Sequence, residues 1–238
     1  MKAAAQVFLF VTFLSGLAAD AHALGEFECR SPVNAVDKEK LLDDVESSYR
    51  SISDLTSAFQ QNSFFLGLNQ RVLSRGTVHF KKPGMMDWTY EDPEKQRFIA
   101  DGKTLWFYQP DLNQVTVGNF TQSFSSDLPV SFLLGIGHLK ADFNVVESCG
   151  SEAGIIIKLQ PKTPDQSLDE FYLLVEKNKH SPLGAKIVDV GGNETAIIFE
   201  KTVLNSSLKE DRFQFQIPKG VDVIDRRVKE SDLAPVQP

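Results

Sequence analysis

From Asp37 to Tyr49 the apolar residues Leu41, Leu42, Val45 and Tyr49 recur at helical spacing among Lys, Asp and Glu. That pattern predicts an amphipathic helix with one buried stripe. Ser53-Asp54 breaks it, and from there the period of the apolar positions switches to two. Strands are predicted over Ala58 to Leu66, Gly76 to Lys82, Met85 to Tyr90, Gln96 to Ala100, Thr104 to Gln109 and Gln114 to Val117. Asp101-Gly102 between two of them is a hairpin signal, because Gly supplies the positive φ of a tight turn. Ser125 to Leu139 interrupts the series with Pro129 and the run Phe132-Leu133-Leu134, which reads as a short apolar helix on a loop.

Strands resume over Phe143 to Ser148, Gly154 to Gln160, Glu170 to Glu176, Ala185 to Val190, Thr195 to Lys201 and Arg212 to Ile217. No intervening helix is long enough for a parallel crossover, so the expected sheet is antiparallel and able to curve toward a barrel. Past Val223 charges crowd and prolines follow, which predicts a flexible tail over 225–238. No internal repeat or second domain is visible.

The strand faces bear on function. Met86, Trp88 and Tyr90 share one face, opposite Met85, Asp87 and Thr89. In Thr104 to Gln109, Leu105 and Phe107 oppose Trp106 and Tyr108, so that strand is apolar on both sides. Alternation alone does not separate a filled core from an under-filled face that holds an apolar ligand.

Composition sharpens the picture. Phe is present 18 times against 4 Tyr and 2 Trp, a large supply of hydrocarbon ring surface. The formal charge of −7 argues against a nucleic-acid partner, since phosphate neutralisation needs a basic face. Four His and two Cys offer almost nothing from which to build a metal centre, and no cofactor motif is present. A Gly-x-Ser-x-Gly elbow, His-Glu-x-x-His, a phosphate-binding loop and Cys-x-x-Cys are all absent. His79, His138 and His180 lie far apart, and Asp43-Asp44 and Glu91-Asp92 read as solvated surface. No enzyme activity is expected.

Met1-Lys2, the apolar run Ala3 to Ala19 and Ala21-His22-Ala23 form a secretory signal, with cleavage expected after Ala23. Residues 24–224 then make one domain of an exported, unanchored and monomeric protein. Glu26-Phe27-Glu28 lacks the small residues of a lipidation site before Cys29. An oxidising compartment permits Cys29 and Cys149, the only cysteines, to join.

At Ala100-Asp101-Gly102-Lys103-Thr104-Leu105-Trp106-Phe107-Tyr108-Gln109-Pro110, followed by Gln114-Val115-Thr116-Val117, the chain resembles the periplasmic outer-membrane lipoprotein carrier family, LolA. Phe59 and Gln61, Lys81-Lys82-Pro83-Gly84, Trp88, Leu159-Gln160-Pro161-Lys162 and Phe213-Gln214-Phe215 before Pro218-Lys219-Gly220-Val221 agree in order. The resemblance covers Asp37 to Ile224. It implies an unclosed antiparallel half-barrel of about eleven strands, with lid helices over its concave face.

The resemblance further implies that the protein accepts acylated lipoproteins from an inner-membrane LolCDE-type transporter and delivers them to an outer-membrane LolB-type receptor. The family's ligand cavity falls here on Met86, Trp88 and Phe98 and on Leu133 of the lid, with Tyr90 and Phe132 beside them. A polar replacement such as Trp88→Glu is expected to abolish binding with the fold intact. The family usually carries Arg before the proline, holding lid carbonyls; here the latch is Lys82, with Lys81 as a neighbouring cation. Two other readings stand beside this one. One is a periplasmic acyl-chain-binding sensor of the same fold, and the other is a lipid-acting hydrolase.

Overall fold

Each β-hairpin of the chain joins strands that lie side by side, so the sheet grows as a meander. In the computed structural model, residues 26–32, 38–120, 139–163 and 167–227 are described. Strand β1 (Ser31–Pro32) precedes helix α1 (Lys38–Arg50). Six strands follow: β2 (Asp54–Phe65), β3 (Gln70–Lys81), β4 (Met85–Asp92), β5 (Gln96–Asp101), β6 (Thr104–Gln109) and β7 (Gln114–Asn119). The short helix α2 (Leu139–Asp142) leads into β8 (Phe143–Gly150), β9 (Ile155–Pro161), β10 (Leu168–Val175), β11 (Pro182–Asp189) and β12 (Glu194–Leu204). The last strand among the described residues is β13 (Asp222–Asp225).

The spatial order is β1-β8-β9-β10-β11-β12-β2-β3-β4-β5-β6-β7-β13, a single unclosed sheet. From β8 round to β7 it holds the eleven antiparallel strands expected, and a strand from near each end of the chain is added at each margin. The twelve strands β1–β12 pair antiparallel, while β13 runs parallel to β7.

Two strands of twelve residues, β2 and β3, form the spine, paired without a break from Asp54↔Lys81 to Phe65↔Gln70. Between β5 and β6 the expected tight turn is present. Gly102 has φ +89, and the Asp101 carboxylate accepts the N–H groups of Lys103 and Thr104 at 2.9 and 2.7 Å.

Helix α1 buries Leu41, Leu42, Val45 and Tyr49, the stripe read from the sequence. These side chains join one apolar cluster with Leu55 and Phe59 of β2, Val78 and Phe80 of β3, and residues of β4, β5, β6 and β9–β12. The face under α1 is therefore the inner face. Lys38 at the start of α1 bonds Val146 O of β8 at 2.7 Å, and Tyr49 O near its end accepts from Lys82 beside β3, so the helix bridges the two halves of the sheet. Its stripe packs in one cluster with side chains of both halves, β4–β6 and β9–β12, which means that the sheet curls around the helix.

The outer face of β3–β7 is crossed by residues 205–217, and here one expectation fails. Arg212 to Ile217 is not a strand. Glu210–Phe213 is a turn of 3-10 helix, and Gln214 to Ile217 pairs with no strand. Its alternation records burial on one side only. Phe213 is fully buried, and the Phe215 ring lies 5.4 Å from that of Tyr108 and 6.4 Å from that of Trp106. The same crossing explains why β6 is apolar on both sides.

Candidate functional site

The inner face of β3–β6 carries a continuous run of rings. Because side chains alternate along a strand, Met86, Trp88 and Tyr90 project to the same side. Cross-strand register sets Trp88 between Val78 of β3 and Phe98 of β5, and Phe98 opposite Phe107 of β6. Phe59 presents its edge to Trp88 and Tyr90, with centroids at 5.1 and 5.0 Å. Phe80 meets Trp88 at 5.8 Å, and Phe98 and Phe107 stack at 4.3 Å. Room for the rings comes from Gly76, paired with both Phe59 and Tyr90; a Cβ there would lie 1.9 Å from Thr89 O and 3.1 Å from the Phe59 ring.

The structure brings Met86, Trp88, Tyr90 and Phe98 together in this cluster, all buried. Phe132 and Leu133 lie outside the described residues. Phe59, Phe80 and Phe107 belong to the same wall but are not among the ligand residues expected from sequence, where Phe59 stands as a family landmark and Phe107 on a strand apolar on both sides; period-two spacing on β2, β3 and β6 is the signal that places them here.

One polar thread enters this wall. The Tyr90 hydroxyl donates to Gln61 Oε1 at 2.8 Å, and Gln61 Nε2 donates to Ser63 Oγ at 3.1 Å. Burial pushes the Tyr90 phenol above its ordinary value. Trp88 Nε1, equally buried, has no hydrogen-bond partner.

Lys82 sits where α1 meets the β3–β4 turn. Its ammonium donates to Tyr49 O and lies 3.8 Å from the centre of the Tyr49 ring. Burial lowers its pKa to about 8. Lys81 turns the other way, donating to Leu208 O at 2.7 Å on the outer face, so it does not share the contact with α1.

The outer face differs in chemistry. Asp87 is buried there, held by Arg97 at 2.8 and 3.0 Å and by Arg212 at 3.5 Å. An open cleft of about 630 Å³ beside them is lined by Arg97, Ser206, Ser207, Leu208, Lys209, Asp211, Arg212 and Gln214. Its lining is polar and suits no hydrocarbon. Cys29 and Cys149 are joined, with Cα atoms 5.5 Å apart, tying the segment before β1 to β8. Among the described residues no group of three or more His, Cys, Asp or Glu is placed to hold a metal ion. No helix there is long and apolar enough to cross a membrane.

Residues 50–216 match the family model described as outer membrane lipoprotein carrier protein LolA. The chain belongs to the LolA family. It is 30% identical over 206 residues to an outer-membrane lipoprotein carrier protein of Cupriavidus necator, covering 85% of this chain and 94% of that one. A carrier of the same description from Pseudomonas syringae pv. tomato is 32% identical over 173 residues, covering 71% and 81%. Among solved structures, an uncharacterized conserved protein of Thermus thermophilus superposes with a TM-score of 0.52 at 16% identity. The match covers 79% of this chain and 98% of that one, which shows a shared fold. Membership in a carrier family implies a role without catalysis.

Proposed function

We propose that this protein is a periplasmic carrier that shelters the acyl chains of lipoproteins against the inner face of its sheet. It would take them from an inner-membrane LolCDE-type transporter and deliver them to an outer-membrane LolB-type receptor. The observation that carries the reading is the wall of Met86, Trp88, Tyr90 and Phe98 lying under a helix in a chain of the LolA family.

The energetics demand such a wall. At about 0.8 kcal/mol per methylene, a 16-carbon chain exposed to water costs on the order of 12 kcal/mol, and each further chain adds as much. Phe, Met and Leu shelter hydrocarbon without buried polar groups that need partners. Helix α1 is tied at one end by Lys82, at the other by Lys38, and along its side by Lys140, whose N–H donates to Glu46 and whose ammonium donates to Asp43; these contacts and its apolar stripe hold it over the wall. Its displacement would open the face, so Lys82 is the proposed latch. The secretory signal over 1–23 supports export.

The test is extraction of a triacylated lipopeptide from phospholipid vesicles by the purified protein. A soluble one-to-one complex is expected. Retention of all the lipopeptide in the vesicles overturns the reading. Mass spectrometry of protein isolated from the periplasm gives a second check: a co-purifying acylated polypeptide supports the carrier, and free fatty acids alone point to a general lipid binder.

A further inference from the structure

Trp88 is 4% exposed, and its indole N–H bonds to nothing. A buried Trp N–H ordinarily finds an acceptor, and one left alone carries the full desolvation penalty of the donor. Phe or Leu at this position would fill the wall without that burden. The surroundings offer no relief. Phe59, Phe80 and Tyr90 surround the indole, and the Tyr90 hydroxyl is already committed to Gln61. Of the other buried unpartnered side-chain atoms among the described residues, Asn62 Oδ1 and His79 Nδ1 belong to residues that alternate to the outer side of β2 and β3. Within the apolar wall, Trp88 Nε1 is the one unmet side-chain donor among the described residues.

An indole is a donor only, so its missing partner must be an acceptor. In an apolar setting a neutral acceptor is strongly favoured over a charged one, since an unpaired carboxylate is costly to bury. A neutral acceptor physically attached to hydrocarbon chains is the carbonyl of an ester or amide. Resting on the carrier reading, we propose that Trp88 Nε1–H donates to the ester or amide carbonyl at the head of a bound acyl chain. The site then reads acyl linkages in preference to plain alkyl chains. It also fixes the depth of insertion: the carbonyl stops at Trp88 and the methylenes run on along Phe59, Phe80 and Phe98.

The protein contains two Trp, Trp88 and Trp106, so its indole N–H region shows two resonances, assigned by comparison with Trp106→Phe. The probes are a peptide carrying S-(dipalmitoylglyceryl)cysteine with ester links and its dihexadecyl ether analogue. With the ester probe the Trp88 indole proton moves downfield, and with the ether analogue it does not. In Trp88→Phe the preference for ester over ether falls about fivefold, the size of one net hydrogen bond. Equal shifts with both probes, or an unchanged preference in Trp88→Phe, overturns the proposal while leaving the carrier reading intact. Wild-type protein that binds neither probe overturns both.

Discussion

Lys81 and Lys82 are neighbours in sequence and hold opposite faces, one on the outer crossing and the other on α1, as strand alternation requires. Lys82 also titrates where the arginine usual in the family would not. Its folded pKa of about 8 lies below the ordinary lysine value, so both folded and unfolded forms are charged below pH 8 and the burial penalty is then fully present. As pH rises above 8 the folded form loses its proton first, the unfolded form binds more protons, and stability rises. Thermal melts of wild type and Lys82→Met from pH 7 to 10 should therefore show the difference shifting in favour of wild type across that window; a flat difference contradicts it. Trp88 corrects a simpler expectation. Packed among Phe59, Phe80 and Tyr90, Trp88→Glu buries a carboxylate without a partner, so it should destabilise the fold by several kcal/mol as well as abolish binding, as urea titration would show. Period-two spacing places Trp88 on the inner face, but it is silent on how tightly rings from β2, β3 and β4 close around it.

At the scale of elements, the helix and the eleven-strand meander were legible because their signals are local: a 3.6 period, a 2 period and turn residues between. The crossing at 205–217 was not. Its anchors are distant in sequence, as where the Asp54 carboxylate accepts from Ser206 and Ser207, 152 and 153 positions away. Burial would raise that carboxyl, but the hydrogen bonds from Ser206, Ser53 and Ser207 outweigh it and hold the pKa low. Strand β13 escaped notice for a different reason: all four of its residues are exposed, so no apolar alternation marks it. The two parts of this segment should respond differently to substitution. Phe213→Ala empties a fully buried ring site on the outer face and should cost about 3–5 kcal/mol. Val223→Ser on β13 should cost under about 1 kcal/mol. Equal losses in denaturant titrations would mean that the crossing is held by its strand and not by its aromatic anchor.

The whole molecule is one bent sheet with different chemistry on its two sides. Its inner wall is ring-lined and capped by a helix; its outer side is sealed by polar networks, aromatic contacts and a second small cluster of Cys149, Ile156 and Leu174 with Phe27 packed against it. The disulfide closes a loop of 120 residues, and Cys29→Ser with Cys149→Ser should lower stability by about 2–5 kcal/mol. Since the bond lies on the outer side, lipopeptide affinity of the double variant should match wild type at temperatures where it stays folded. A loss of affinity larger than the unfolded fraction accounts for would tie the bond to the ligand face. That pairing was open from sequence, where two cysteines in an exported chain permit a bond without requiring one.

Both margins of the sheet are finished by segments lying near opposite ends of the polypeptide, β1 against β8 and β13 against β7. An unpaired strand margin invites other chains to add to it. During emergence from a ribosome or a translocation pore, β7 stands bare for more than a hundred residues of further synthesis, until 222–225 arrive. Premature truncation just upstream of them should thus yield a protein prone to self-association through that margin, even though the greasy interior is already complete.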